Sequence, residues 1–267
     1  MNKRAFNPLI FPAIWMVVAN CGQIRAQTSP GFTAVLYDYF GCDPAVTTTA
    51  PAPCPPKGMQ TKYVDPNIGT SMVMSTQTPT PTNTLVTKND GTRVQAFHEI
   101  NVYYSVKLNI NPAASGQSGV NCMPAGTTLL GTETILGIET YKYQQGEVQP
   151  GNAASTGSDG TISWLAPGLN CFSLRTEFHF KGSPTTFQLA SNVTLGTPPA
   201  SAFDPPPGFV ELSPMDATHK LTVLVMRRLN PAMTTDEAEA AWSKTSASNI
   251  GLQRMDAMWR KQHGITQ

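Results

Sequence analysis

Histidines, carboxylates and cysteines are the side chains whose spacing would reveal catalysis or metal binding, and in this chain they are scattered. No two of the four histidines have a spacing suited to one metal ion, and each is predicted to be a surface or hydrogen-bonded structural residue. They are His98, His179, His219 and His263. The chain also lacks a Gly-x-Ser-x-Gly elbow, an HExxH pair, a P-loop and an EF-hand pattern. We therefore expect no enzyme activity, no metal site and no cofactor.

Three glutamates on predicted strands could meet as a general acid and a general base. They are Glu133, Glu139 and Glu177. Scattered carboxylates on solvent faces are the ordinary explanation for such residues. Because catalytic groups meet in space rather than in sequence, a hydrolase stays a third alternative, and it would need a histidine or carboxylate cluster at a cleft.

The N-terminus has the pattern of a secretory signal peptide. Lys3 and Arg4 precede an apolar stretch, and small or aliphatic residues precede Gln27, so the leader is predicted to span residues 1–26. The apolar stretch is too short and too often interrupted by proline for a membrane span. Acylation of Cys21 is a minor alternative, because asparagine rather than a small residue precedes it. The mature chain is expected to be periplasmic or secreted, without an integral membrane span.

Four cysteines remain after cleavage, and an even number in an exported chain predicts two disulfides. They are Cys42, Cys54, Cys122 and Cys171, for which three pairings exist. In one of them, Cys42 pairs with Cys54 and closes a loop rich in proline and threonine, while Cys122 pairs with Cys171. A zinc site is disfavoured because the chain has no Cys-x-x-Cys and no nearby histidine pair.

Composition favours many strands joined by turns. Only 13% of the residues are charged, while the chain has 23 prolines and 21 glycines. Cleavage would leave 15 of the 18 basic residues against 17 acidic ones, because the leader contains three basic residues and no acidic one. No basic patch is visible, so nucleic acid is not an expected partner.

Two segments alternate clearly between apolar and polar residues, as strands of an antiparallel sheet with one buried face do. They are "INVYYSVKLNI" and "CFSLRTEFHF". In the second segment, Glu177 and His179 are predicted to face solvent. A hairpin turn is predicted at Asn89-Asp90-Gly91, between two further strands.

The stretch "GTETILGIETYKYQ" changes its apolar phase partway along. Leu136 and Ile138 mark one face, whereas Tyr141 and Tyr143 mark the other. We interpret it as a single strand that bends at Gly137, because glycine permits a bulge or sharp bend.

The C-terminal part is predicted to change from strand to helix. "HKLTVLVMRRL" is predicted to be one more strand, whereas Thr234 and Glu237 form a capping-box pattern ahead of a helix. A second helix is predicted to end at Gly264, with Leu252 and Met255 on its apolar stripe. The predicted organisation is a signal peptide at 1–26, a β domain at 27–230 with a Pro/Thr-rich insertion at 43–57, and a helical extension at 231–267.

Several of these segments together resemble the LolA-type lipoprotein-carrier superfamily and its periplasmic relatives. The segments are "KNDGTRVQAF", "GTETILGIETYKYQ", "TISWLAPGLNCFSLRTEF" and "FDPPPGFVEL", within residues 70–213. The resemblance implies a curled antiparallel sheet, an unclosed β-barrel, with helices over its concave side. It also implies a hydrophobic cavity that holds acyl chains and performs no chemistry.

The leading hypothesis is an exported, non-enzymatic protein that binds a lipid or another apolar ligand on the concave face. The predicted lining consists of Val102, Tyr104, Val106, Leu108, Phe172, Leu174, Phe178 and Phe180. The alternative is that these side chains fill an ordinary core. The alternative function is that of an envelope-associated structural or interaction protein with no small-molecule ligand, which would meet a partner through its C-terminal helices.

Overall fold

The computed structural model describes most of the chain downstream of residue 30. The described ranges are 31–40, 55–76, 80–108, 122–146, 160–180 and 183–265. The predicted leader, the alternative at Cys21 and the predicted Cys42–Cys54 disulfide lie outside these residues, as does most of the predicted insertion at 43–57. These four remain predictions.

Twelve strands and three helices make up the described fold. The strands are β1 (Phe32–Phe40), β2 (Gly58–Asp65), β3 (Gly69–Ser75), β4 (Pro81–Lys88), β5 (Thr92–Phe97), β6 (Val102–Lys107), β7 (Thr127–Ile135), β8 (Ile138–Gln145), β9 (Gly160–Ala166), β10 (Phe172–Phe180), β11 (Ser183–Leu195) and β12 (Val210–Glu211). The helices are α1 (Pro214–Leu229), α2 (Thr235–Ser248) and α3 (Ile250–Gln262).

The strands form a single open sheet in the order β12-β6-β5-β4-β3-β2-β1-β11-β10-β9-β8-β7. It consists of two meanders, β1 to β6 and β7 to β11, which join where β1 pairs with β11. All pairings are antiparallel except that of β12 with β6, which is parallel. The predicted fold class, a curled antiparallel sheet that does not close, with helices at the C-terminus, is confirmed.

Cross-strand register assigns the side chains to two faces. One row of paired positions runs across six strands: Phe97, Asn83, Met74, Gln60, Leu36 and Ala190. We call this side the helix face, because α1 and α3 pack on it at β6, and the other side the outer face. Lys62 on β2 lies over the ring of Phe172 on β10, 5.3 Å from its centroid, although β1 and β11 intervene. Three strand spacings amount to about 14 Å in a flat sheet, and side chains converge across such a distance on the concave face of a curled one, so we take the helix face as the concave face.

The prediction of a strand at "HKLTVLVMRRL" was wrong, because these residues belong to α1. Ser213 caps the helix by accepting from the Asp216 N–H, and Pro214 occupies the first turn, where its missing N–H costs nothing. Ala217 and Leu221, one helical turn apart, both pack against β6. Tertiary packing and the cap thus override the strand preference of the β-branched residues.

The capping-box prediction is confirmed at α2, and α3 completes the helical layer. Thr234 and Glu237 exchange side-chain and backbone hydrogen bonds at the start of α2. The buried carboxylate of Asp256 on α3 accepts from the Met215 N–H at 3.0 Å and from Arg260 Nε at 2.6 Å. Asp256 thereby ties α3 to the start of α1.

The stretch "GTETILGIETYKYQ" is a β-hairpin and not a bent strand. β7 ends at Ile135 and β8 begins at Ile138, and the turn residues Leu136 and Gly137 have φ of 53° and 76°. Two positive φ angles define the tight hairpin turn whose twist matches its strands, and glycine accepts the second without strain. The change of apolar phase therefore marks a reversal of the chain.

The helix face buries one apolar cluster under the helices at β5 and β6 and another where the two meanders join. In the β1–β11–β10 region the cluster contains Phe32, Leu36 and Leu174, all fully buried, and Ile138 packs against it. The disulfide between Cys122 and Cys171 secures the start of β7 beside β10, as one of the pairings considered above requires.

Candidate functional site

The described side chains of the predicted lining divide into two groups on the helix face, separated by the middle of the sheet. Val102, Tyr104 and Val106 are buried under α1 and α3, and Leu108 packs against them. The Tyr104 hydroxyl donates to Gln95 Oε1 at 2.6 Å, and burial raises the pKa of Tyr104 to about 12. These β6 side chains are part of a packed core.

The second group lies on β10, on the far side of β1 to β5 and β11 from β6. Phe172 and Leu174 are buried beside Phe32, whose ring meets that of Phe172 edge to face at 5.0 Å. Phe178 is half-buried, and the side chain of Phe180 lies outside the described residues. Among the described side chains of the predicted lining, those on β6 and those on β10 therefore do not surround one hollow.

Between the two clusters lies a partly buried portion of the helix face that we call the central strip. It consists of Gln60, Lys62, Met72, Met74 and Leu85 on β2, β3 and β4. Its apolar members are two thioethers and a leucine. Asp38 borders the strip on β1, where it accepts from Gln60 Nε2 at 3.0 Å and from Gln188 Nε2 at 2.9 Å. An apolar floor with a polar border is what an amphipathic ligand requires.

Sequence reasoning missed the central strip because its strands carry a weak signal. In "SMVMS", Met72 and Met74 alternate with Ser71 and Val73, so the segment does not show which face is buried. The register with β2 and β4 settles the face only in the structure. The sequence signal that could have pointed to the strip was the Met-x-Met spacing itself.

A polar groove of about 310 Å³ lies on the outer face, beside the turn between β4 and β5 and the end of β6. It is lined by Lys88, Thr92, Val94, Tyr103, Ser105, Lys107, Pro205, Glu211, Gln262 and His263. Glu211 accepts from the Tyr103 hydroxyl and from Trp259 Nε1, both at 3.3 Å, and burial together with Glu211 raises the pKa of Tyr103. Lys88 forms an ion pair with Asp204, and Lys107 forms one with Asp90. This lining does not suit an acyl chain.

The glutamates considered as an acid and a base do not meet at a cleft. Glu133 accepts from Trp164 Nε1, while Glu177 pairs with Arg175 at 2.6 Å and with His179 at 3.2 Å. Glu139 is exposed on β8. The ring of Trp164 also lies between two cations, Lys142 and Arg175, at 4.7 and 4.8 Å from its centroid. The ion pairs and the rings of these strands stabilise the sheet.

The prediction that Glu177 and His179 face solvent was wrong, because each is only 9% exposed. Register shifts after Ser173 and Phe178 distort the alternation that the sequence suggests. The other histidines also have structural contacts: His98 with Thr84, His219 with Glu239, and His263 with Trp259. Within the described ranges, no three His, Cys, Asp or Glu side chains form a group that could hold a metal ion.

No protein-family model matches this chain, and no curated protein matches it by sequence. Solved structures do resemble it, at low identity. An uncharacterized conserved protein from Thermus thermophilus is 8% identical with a TM-score of 0.43, over 69% of this chain and 90% of that one. MucB is 8% identical with a TM-score of 0.40, over 70% of this chain and 61% of that one.

A putative outer membrane lipoprotein-sorting protein domain from Vibrio parahaemolyticus is also similar, with 8% identity and a TM-score of 0.28. The match covers 66% of this chain and 89% of that one. Among the described helices, none combines the length and the apolar character needed to cross a membrane.

Proposed function

We propose that this is an exported, non-enzymatic protein that binds the apolar chain of a lipid along the central strip. The observation that carries the proposal is the incomplete burial of Met72, Met74 and Leu85 between two packed clusters on the concave face. An acyl chain laid across these side chains would complete a surface that the protein leaves partly open. Thioethers suit this role because they adapt to chains of different shape.

The proposed site differs from the lining predicted from sequence. Val102, Tyr104 and Leu174 already bury their side chains against the protein, so a ligand gains little contact area there. Their packing on either side of the central strip would instead maintain the curvature of the sheet. The polar border at Asp38 and the cation of Lys62 would meet the headgroup end of the ligand. The resemblance to lipoprotein carriers favours the same class of ligand.

Export supports the proposal on two grounds. The N-terminal pattern predicts cleavage before Gln27. The Cys122–Cys171 disulfide is of the kind that persists in oxidising compartments such as the periplasm. We therefore propose an extracytoplasmic location, in which a carrier or sensor of envelope lipids would operate.

The alternative is an envelope interaction protein that uses its C-terminal helices. Met258 and Trp259, in the apolar stripe of α3, pack on the sheet inside the protein. In this alternative, a partner would contact exposed apolar residues of the helices such as Leu229 and Ile250. It stays a prediction.

Titration of the delipidated mature protein with the fluorescent fatty acid cis-parinaric acid tests the proposal. The double variant Met72→Gln/Met74→Gln should bind about tenfold more weakly, a loss of about 1.4 kcal/mol, because two apolar contacts become polar. Met123→Gln is the matched control, since Met123 is exposed at a distance from the strip, and it should bind like the wild type. Absence of saturable binding by the wild type, or equal binding by the double variant with unchanged melting temperature, would refute the proposal.

A further inference from the structure

Among the described strands, β7 forms one end of the sheet and pairs only with β8. Its nine residues extend over about 30 Å, and the seven between its first and last positions are exposed. Every other backbone N–H and C=O along such an edge points away from the neighbouring strand and can pair with another strand.

Apolar side chains concentrate at this edge. Leu129 and Leu130 are 45% and 46% exposed, and Leu136 in the following turn and Met123 shortly before β7 are also exposed. These are four of the ten large apolar residues that are exposed among the described residues. A concentration of this kind marks an interaction surface more often than chance exposure does.

β7 lacks most of the devices that protect edge strands from pairing. It contains no proline, lysine or arginine. Its one charged residue, Glu133, binds Trp164 through its carboxylate. Within the described strand itself, a bulge at Leu130 is the one such device, and it leaves residues 131–135 as a regular run. The disulfide at Cys122 fixes the strand at its start.

We propose that β7 pairs with β7 of a second copy of this chain and forms an antiparallel dimer with a continuous sheet. The opposite end of the sheet is β12, which has two residues, so pairing of β7 with β12 of another copy would use little backbone. Pairing β7 with itself uses a long strand on both sides, and its two-fold symmetry closes the assembly at two chains.

Charge selects the register of this pairing. Centring the two-fold axis on Thr132 places Leu129 opposite Ile135 of the second copy and Thr132 opposite itself. The two Glu133 side chains then lie two positions apart along the edge, so like charges do not face each other. Centring the axis on Glu133 would set the two carboxylates directly opposite, which is unfavourable.

Light scattering after size-exclusion chromatography at micromolar concentration tests the dimer. The wild type should have the mass of two chains, and Leu130→Lys should weaken the dimer at least about tenfold, because a lysine replaces an apolar side chain at the seam and lysine on an edge strand opposes pairing. Leu130 has no paired residue in β8, so its substitution leaves the β7–β8 register intact. Leu195→Lys is the matched control, because Leu195 is an exposed leucine on another strand, and it should remain dimeric.

A cysteine at the two-fold position gives a second readout. Thr132→Cys should form a crosslinked dimer under mild oxidation, because opposed residues of an antiparallel pair lie within disulfide distance. Glu139→Cys, an exposed position on β8, should not crosslink. A monomeric wild type, a Leu130→Lys variant as dimeric as the wild type, or the absence of a Thr132→Cys crosslink would overturn the proposal.

Discussion

Removal of the Cys122–Cys171 disulfide has an effect that can be calculated from the structure. The bridge joins residues 49 positions apart. Opening a loop of that length returns about 14 cal/mol/K of entropy to the unfolded chain, which corresponds to about 4 kcal/mol at 25 °C. We expect Cys122→Ala/Cys171→Ala to lose about this much free energy of unfolding, a large share of the stability of an average domain.

Alanine is the suitable replacement because of the backbone at both sites. Cys122 and Cys171 have φ of 57° and 60°, a conformation that alanine tolerates no better than cysteine. The double variant therefore keeps the backbone strain and removes the covalent link, together with some packing beside Tyr143 and Leu165. Glycine at the same sites would relax the backbone and confound the comparison.

Urea unfolding followed by tryptophan fluorescence measures the difference. Both proteins are compared without reducing agent, so that any other disulfide of the chain is equally present in each. The slope of the free energy against urea should be smaller in the wild type than in the variant, because a crosslinked unfolded chain exposes less surface. A loss below about 1 kcal/mol would contradict the loop-entropy reasoning.

Two further substitutions test the helical layer and the β6 core. Burial opposes the ionisation of Asp256, but hydrogen bonds from Arg260, from Ser213 and from the Met215 N–H outweigh it and lower the pKa of Asp256. At neutral pH, Asp256→Asn should therefore lower the free energy of unfolding, measured in urea, by about 1 to 3 kcal/mol. This difference from the wild type should disappear as the pH falls below 3.8, because the wild-type carboxylate is then protonated as well. Burial raises the pKa of Tyr104 above its unfolded value of 10, so the stability that the neutral phenol contributes is complete below pH 10 and declines as pH rises toward about 12. Melting temperatures of Tyr104→Phe between pH 9 and 11 should therefore differ in their pH dependence from those of the wild type, and a parallel course of the two would contradict this assignment.

The sequence predicted the β architecture where the signal was local. The alternation of "INVYYSVKLNI" identified β6 and its buried side, and Asn89-Asp90-Gly91 identified the turn between β4 and β5. Both depend on short-range geometry. The same local reasoning went wrong for α1, because the contact of Ala217 and Leu221 with β6 joins segments more than a hundred residues apart.

The location of the candidate site depended on information that alternation does not contain. Phe172 and Val106 were correctly assigned to apolar positions, but whether two such positions share a hollow depends on the order of strands in the sheet. That order places β1 to β5 and β11 between β6 and β10, and Met72 and Met74, which are only partly buried, lie in this intervening part of the face. The positive φ angles at Leu136 and Gly137 likewise became evident only from the backbone.

The position of β6 has a consequence for how the chain matures. β6 is complete at Lys107, but β12 and the helices that cover its apolar side begin at Val210, about a hundred residues later. While the chain emerges from a ribosome or a translocation channel, Val102 and Val106 would stay accessible until the last quarter of the protein follows. Truncation of the C-terminus would leave the apolar side of this strand permanently uncovered.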